Sequence, residues 1–240
     1  MPELNDPAVV AREYEDESRL VARRRAWSDF REGPSSDDAV FDAIRRAAPH
    51  RVLEIGCGWG ELAERIAETG AEVTAVDLSF RMAQLAHERG VRASVADGQA
   101  LPFGADHFDL VVANAVMYHI PNLDLALTEV GRVLAADGVF VATTFELGRF
   151  SELWDLVGHT PPTLRFDADT AGTDLRRHFE TVTQEDGQHT LVFPSVNEVR
   201  SYLAATIAMS HLVDRVPDFV GPLRTTRRFA VFTAREPIGS

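Results

Sequence analysis

Lysine is missing from this 240-residue chain; every one of its 24 basic residues is arginine. Such a chain forms no Schiff base through its own side chains, carries no phosphate-loop lysine and has no lysine general base. A GC-rich genome or adaptation of an acidic surface to salt both account for the bias. Cysteine is almost missing: the single Cys57 excludes an internal disulfide and a cysteine-based metal cluster. No apolar run approaches the ~20 residues of a membrane-spanning helix. The opening "MPELNDPAVVAREYEDE" is acidic and lacks the apolar core of a secretory leader, so a cytoplasmic protein is expected. Positive charge is also scarce. A net charge of −13 argues against a nucleic-acid substrate and an anionic membrane, in spite of the local run Arg23–Arg24–Arg25. What is present, 45% hydrophobic and 25% charged residues, suits one sizeable core with a modest cap.

The pattern along the chain is a regular alternation. Residues 7–31 read as a helical arm with a broken apolar stripe, followed by the turn "EGPSSDD" and a short helix, "AVFDAIRRAA". Then strands "RVLEI", "AEVTAVD", "VRASVAD", "HFDLVVAN" and "GVFVATTF" are separated by helical stretches. In one of these Leu123, Ala126, Leu127, Val130 and Leu134 share a face. Near-continuous apolar strands alternating with helices imply a parallel sheet covered on both sides. Beyond Phe145 the pattern loosens. "RFSELWDLVG" reads as a helix, "ETVTQED" and "HTLVFP" as strands, "SVNEVRSYLAATIAMSHL" as a helix with a Ser195/Glu198 capping box, and "RRFAVFTARE" as a last strand.

One stretch carries chemistry. "VLEIGCGWGELAERIAETGAEVTAVDLS" places Gly56, Gly58 and Gly60 in the turn after the first strand and Asp77 at the end of the second. Glycines there let the backbone approach a ligand, and a carboxylate at the second strand end accepts bonds from ribose hydroxyls. Together they predict a nucleoside ligand. A dinucleotide fingerprint would place its third glycine at position 61, where Glu61 stands and would repel a pyrophosphate. The ligand is therefore expected to lack a phosphate. Taken singly, the glycines also suit a plain strand-to-helix turn, Asp77 a helix cap (for which Ser79 is better placed), and Asp97 a turn before Gly98.

"VLEIGCGWG" resembles the first motif of class I S-adenosylmethionine (SAM)-dependent methyltransferases, of the small-molecule branch that includes ubiquinone and menaquinone methyltransferases. "VTAVDLSFRM", "VADGQALPFGADHFDLVVANAVMYHI" and "VGRVLAADGVFVATT" resemble the motifs that follow, in order, and "RRFAVFTARE" the last strand. The resemblance implies a Rossmann-like, doubly wound α/β fold. Its seven-stranded sheet would have the order 3-2-1-4-5-7-6, strand 7 antiparallel, with a small helical cap. The chain would be a single domain: an arm or lid (1–35), a cofactor-binding core (36–146), a substrate-side segment with helical insert (147–226) and a last strand (227–235). SAM would be the cofactor, and S-adenosylhomocysteine the product. Glu54 and the turn Gly56, Cys57, Gly58 and Gly60 would hold its methionine end. Asp77 would bind the ribose, Leu78 would flank the adenine, and Met82 belongs to the same set. Asp97 would reach the adenine amino group, with Gly98 and Gln99 beside it, and Asn114 would approach the methionine amino group through its backbone. Cys57 reads as a small turn residue rather than a nucleophile. Trp59 is open between shielding the sulfonium and packing.

The expected reaction is in-line methyl transfer to an N, O or C atom of a small organic molecule, in keeping with bacterial specialised metabolism. A hydroxyl acceptor needs a base, and His119, just past the fourth strand, is the candidate. Lining the site or capping the next helix are its other possible roles. Tyr118 is the candidate for orienting substrate. Tyr14, Trp27, Phe145 and Trp154, with Tyr118 and His119, are the expected substrate-side residues, although each aromatic also suits packing of the cap. No metal is expected, since the histidines show no ligand spacing and the carboxylates no cluster. Three rivals stay open: a non-catalytic SAM-binding module, an RNA or protein methyltransferase, and a nicotinamide oxidoreductase, the last disfavoured by Glu61. Oligomeric state is not legible.

Overall fold

The computed structural model describes residues 4–161 and 163–238, with only the backbone at Arg149. One mixed sheet organises the chain. Its strands are β1 (Arg31–Glu32), β2 (Arg51–Ile55), β3 (Glu72–Asp77), β4 (Arg92–Val95), β5 (Phe108–Asn114), β6 (Leu134–Glu146), β7 (Phe179–Phe193) and β8 (Leu223–Pro237). They stand in the order β1-β7-β8-β6-β5-β2-β3-β4. The pairs β4–β3, β3–β2, β2–β5 and β5–β6 are parallel; β8 lies antiparallel between β6 and β7.

The expected count of seven strands is corrected to eight, and the order gains an edge member. The addition is β1, whose two residues pair antiparallel with β7 as Arg31↔Leu191 and Glu32↔Thr190. Two paired residues leave no period in a sequence, so nothing foretold them. The segment 179–193 is one strand, not two. Gly187 at its centre reads as a break, but a Cβ there would come within 2.2 Å of the Phe229 ring. The glycine makes room for a cross-strand aromatic.

Side chains alternate across the sheet, so neighbours on β2 go to opposite faces. Val52 joins Val73, Leu110 and Val112 beneath α3 (Ser36–Ala47) and α4 (Glu61–Ala67), which contribute Val40, Ile44 and Ile66. Leu53 joins Val111, Phe140 and Phe232 beneath α6 (Leu123–Val133), whose Leu123, Leu127 and Val130 form the predicted stripe. Between β3 and β4, α5 (Phe80–Glu88) starts on Ser79, whose hydroxyl accepts from the Met82 amide.

The remaining helices build the cap. The arm is two helices, α1 (Pro7–Glu13) and α2 (Ser18–Asp29), not one. Asp16 lies in the turn between them and accepts from the Ser18 amide at 2.8 Å, while the N-cap of α2 is Glu17 and makes no side-chain capping bond. With α7 (Ser151–Val157) and α9 (Val196–Ala204), α2 encloses a separate apolar cluster holding Phe150, Leu153, Phe193, Leu203 and Leu212. A short α8 (Ala171–Leu175) leads into β7. Ser195 does stand before α9, but its side chain makes no capping bond, so the predicted capping box is not formed.

Candidate active site

Every parallel strand ends on the same edge of the sheet, and the chain leaves β2 and β5 toward opposite faces. Between them lies the crevice where open α/β sheets bind ligands. A cavity of about 780 Å³ fills this edge and continues under the cap.

Its floor is the glycine turn. Gly56, Gly58 and Gly60 have φ of +70°, +53° and +84°, a region L side chains rarely adopt. Gly56 is also sterically required, since a Cβ would lie 2.4 Å from Val116 Cγ2. The Gly56 and Cys57 amides donate to the Val76 carbonyl at 2.8 and 3.1 Å, pinning the turn to β3. Asp77 then accepts from the Gly58 amide at 2.9 Å and from the Ser79 amide at 2.8 Å. Burial raises its pKa to about 6, against those two backbone bonds. A carboxylate offers about four acceptor positions, so two remain for a ligand.

Glu54 is more deeply set. It is 2% exposed, and among the described residues its Oε2 has no hydrogen-bond partner. Burial, and then the Asp77 charge, hold its carboxyl well above the ordinary range; a backbone bond from Ala63 offsets this only in part. A carboxyl with one unpaired oxygen lining a cavity suits a cationic ligand group that replaces the lost water. Asp97 binds Gln99 through the latter's amide and side chain, at 2.9 and 3.1 Å, and Gln99 Oε1 accepts from the Asn122 amide at 3.0 Å. Asn114 donates to Asp37 at 3.0 Å and accepts from Thr143 at 2.6 Å. Leu78, Gly98, Gln99 and Asn114 all line the cavity.

Three expected site residues lie elsewhere. Gly60 does not line the cavity; its positive φ starts α4, and a Cβ would meet Ala86 at 2.8 Å. Met82 is fully buried on the inner face of α5. Trp154 is 3% exposed in the cap core, its indole donating to the Leu147 carbonyl at 2.6 Å. In each case packing took the residue type that sequence alone assigned to a ligand. Cys57 lines the cavity, but burial pushes its thiol up, which rules out a resting thiolate.

The arm closes the other side. Tyr14 and Trp27 line the cavity with Tyr118, His119 and Phe145. His119 Nδ1 lies 2.7 Å from the Leu4 carbonyl, which only accepts, so Nδ1 carries the proton. Its Nε2 then accepts from the Tyr14 hydroxyl at 3.1 Å. Burial lowers the His119 pKa to about 4, so the ring is neutral near pH 7. Glu61, read from sequence as repelling anions, is paired with Arg24 and accepts from the Trp59 indole at 3.1 Å. Its charge is therefore offset, and it would repel a pyrophosphate less than a bare carboxylate at position 61 would. Among the described residues no group of three or more His, Cys, Asp or Glu is placed to hold a metal, and no helix is long and apolar enough to cross a membrane.

A family model described as a methyltransferase domain matches residues 53–142. A malonyl-[acyl-carrier protein] O-methyltransferase of Geobacter sulfurreducens is 34% identical over 154 residues, covering 56% of this chain and 58% of that protein. The chain thus spans under two thirds of this relative's length. A protein of the same name from Enterobacter lignolyticus is 32% identical over 186 residues, covering 62% of this chain and 73% of that one. A phosphoethanolamine N-methyltransferase 2 from Haemonchus contortus, solved with phosphomonomethylethanolamine and S-adenosylhomocysteine, superposes with a TM-score of 0.62. That match covers 99% of this chain and 61% of the other at 18% identity, a likeness of fold. The chain belongs to the class I SAM-dependent methyltransferases.

Proposed function

We propose that this protein transfers a methyl group from SAM to an N, O or C atom of a small organic acceptor. One observation carries the reading: the partly unpaired Glu54 carboxyl and Asp77 flank the glycine turn at one end of a cavity that continues under an aromatic cap. The residues present fit SAM. Glu54 would hold the methionine ammonium, Asp77 the ribose and Asp97 the adenine edge, with Leu78 beside the ring. SAM supplies a methyl group already activated on a sulfonium. The chain then has to position the acceptor in line and exclude water. The arm and cap supply that enclosure, and Tyr118 lines it beside the methyl-transfer end. For a hydroxyl acceptor His119 is the base on offer, neutral and with its Nε2 reachable once Tyr14 yields its bond. The relatives named for malonyl-[acyl-carrier protein] favour an oxygen acceptor.

Binding of SAM without catalysis is the second reading, favoured by the engagement of His119 with Tyr14 and Leu4. Calorimetry with SAM, S-adenosylhomocysteine and NADH, followed by transfer of labelled methyl into metabolite, RNA and protein fractions, separates the readings. Adenosyl ligands should bind and NADH should not, and label should enter the metabolite fraction. Label confined to RNA or to protein side chains, or absent everywhere, would overturn the proposal. His119→Ala should lower kcat about a hundredfold on a hydroxyl acceptor.

A further inference from the structure

Among the described residues, the end of the cavity under the cap holds a cation without a counter-ion. Arg227, on β8, is 4% exposed and lines the cavity. Its guanidinium sits 3.3 Å from the Phe145 ring centroid and 4.6 Å from that of Trp27. Among the described residues no carboxylate lies within ion-pair distance of it, and its Nε has no hydrogen-bond partner. After the Tyr202 and Tyr118 hydroxyls, Asp37 is the carboxylate whose charge it feels, yet Asp37 is committed to Arg24 at 2.6 Å and to Asn114 at 3.0 Å. The cavity's other buried arginine, Arg23, is paired with Glu13. Burial therefore lowers the Arg227 pKa while the group stays charged.

Besides Glu54 Oε2 and Arg227 Nε, four more polar atoms of cavity-lining residues have no partner among the described residues: the indole N–H of Trp27, the hydroxyl of Thr206 and both ring nitrogens of His189. The indole and the hydroxyl can donate. His189, which burial holds near a pKa of about 4, adds no charge. The cofactor end of the cavity, by contrast, is lined with carboxyls: Glu54, Asp77 and Asp97. A buried unpaired charge is costly, and aromatic faces offset only part of the lost hydration. The arrangement is that of a site whose anion arrives with a ligand.

We infer that Arg227 is the specificity residue of the acceptor site, and that the acceptor is a small organic acid whose carboxylate pairs with this guanidinium. Trp27 and Thr206 supply further donors. Trp27, Phe145 and Tyr118 enclose its apolar body. This rests on the methyltransferase reading above, because the acceptor is defined as what binds beside bound cofactor. The methionine carboxylate of SAM is the competing anion, and the test separates the two.

The test uses the full chain saturated with S-adenosylhomocysteine, titrated with benzoate, cinnamate, indole-3-acetate and succinate, each beside its neutral amide. Trp fluorescence and calorimetry report binding. One or more acids should bind at least about tenfold more tightly than the matching amide. Arg227→Met should abolish that preference, Arg227→Lys should retain part of it, and neither should alter affinity for S-adenosylhomocysteine. Arg227→Met should also keep or raise Tm, because it removes an unpaired buried charge at similar volume. Equal binding of acids and amides, or no acid binding up to about 10 mM, would overturn the inference. So would a loss of S-adenosylhomocysteine affinity in Arg227→Met, which would give the arginine to the cofactor. A fall in Tm with unchanged acid preference would make it structural. Failure of the wild type to bind S-adenosylhomocysteine at all would instead strike the methyltransferase reading.

Discussion

Asp77 shows how one carboxylate serves the fold and a ligand at once. It ties the glycine turn to α5 through two backbone amides, and burial holds its pKa near 6. Because the folded pKa lies above the unfolded value, the free protein's stability from this group is present at low pH and lost as pH rises through about 6. A ribose hydroxyl donating to the ionised form reverses the preference. S-adenosylhomocysteine affinity should therefore rise with pH through about 6, with proton release on binding. Calorimetry in buffers of different ionisation enthalpy measures both. Asp77→Asn should remove the pH step and weaken binding about tenfold or more. An unchanged profile would mean that Asp77 does not face the ligand. The residue was legible because its place at the end of a strand follows from local pattern. Arg227 was not. Its neighbours Trp27 and Phe145 are far away in the chain, and no local spacing distinguishes it from Arg228, which pairs on the surface with Glu146 and Asp169.

Among the elements, the arm is the one whose behaviour the contacts define. Arg23 pairs with Glu13 in a buried bridge and also donates to the Ala205 carbonyl at 2.7 Å, while Glu13 accepts from the Ile207 amide at 2.8 Å. Arg81 holds Glu17 through two bonds of 2.8 and 2.9 Å, and Ser79 donates to the Tyr14 carbonyl at 2.7 Å. The arm is thus fastened to the cap and to the start of α5, next to Asp77. Hydrogen exchange over residues 8–30 should slow when S-adenosylhomocysteine binds; unchanged protection would count against a lid. Glu13→Ala leaves Arg23 buried and unpaired, a cost of about 3–5 kcal/mol. Exchange should then quicken in the arm while amides of β2 and β5 stay protected. From sequence the arm was a single broken stripe. The broken periodicity was real, but which groups would satisfy its buried charges depended on elements nearly 200 residues away.

For the whole molecule, stability rests on the two apolar layers. Phe140 is fully buried at the centre of the layer under α6, stacked on Phe179 at 5.8 Å. Phe140→Ala should cost about 3–5 kcal/mol. The fall in Tm, on the order of 10 °C by calorimetry, should be the same with and without cofactor. A much smaller loss would mean that the layer collapses to fill the cavity.

The sequence by itself determined the alternating strands and helices, the two-faced sheet, the glycine turn and the acid at the second strand end. These follow from periodicity and backbone sterics, which act over a few residues and are written locally. Tertiary structure alone decided the rest. It added the edge strand β1, sent Gly60, Met82 and Trp154 to packing roles, joined Tyr14 to His119, and gathered the unpaired Arg227 with its aromatic walls. Each of these depends on burial and on partners contributed by distant segments. A charge or an indole becomes an orphan or a pair only once the chain has closed around it.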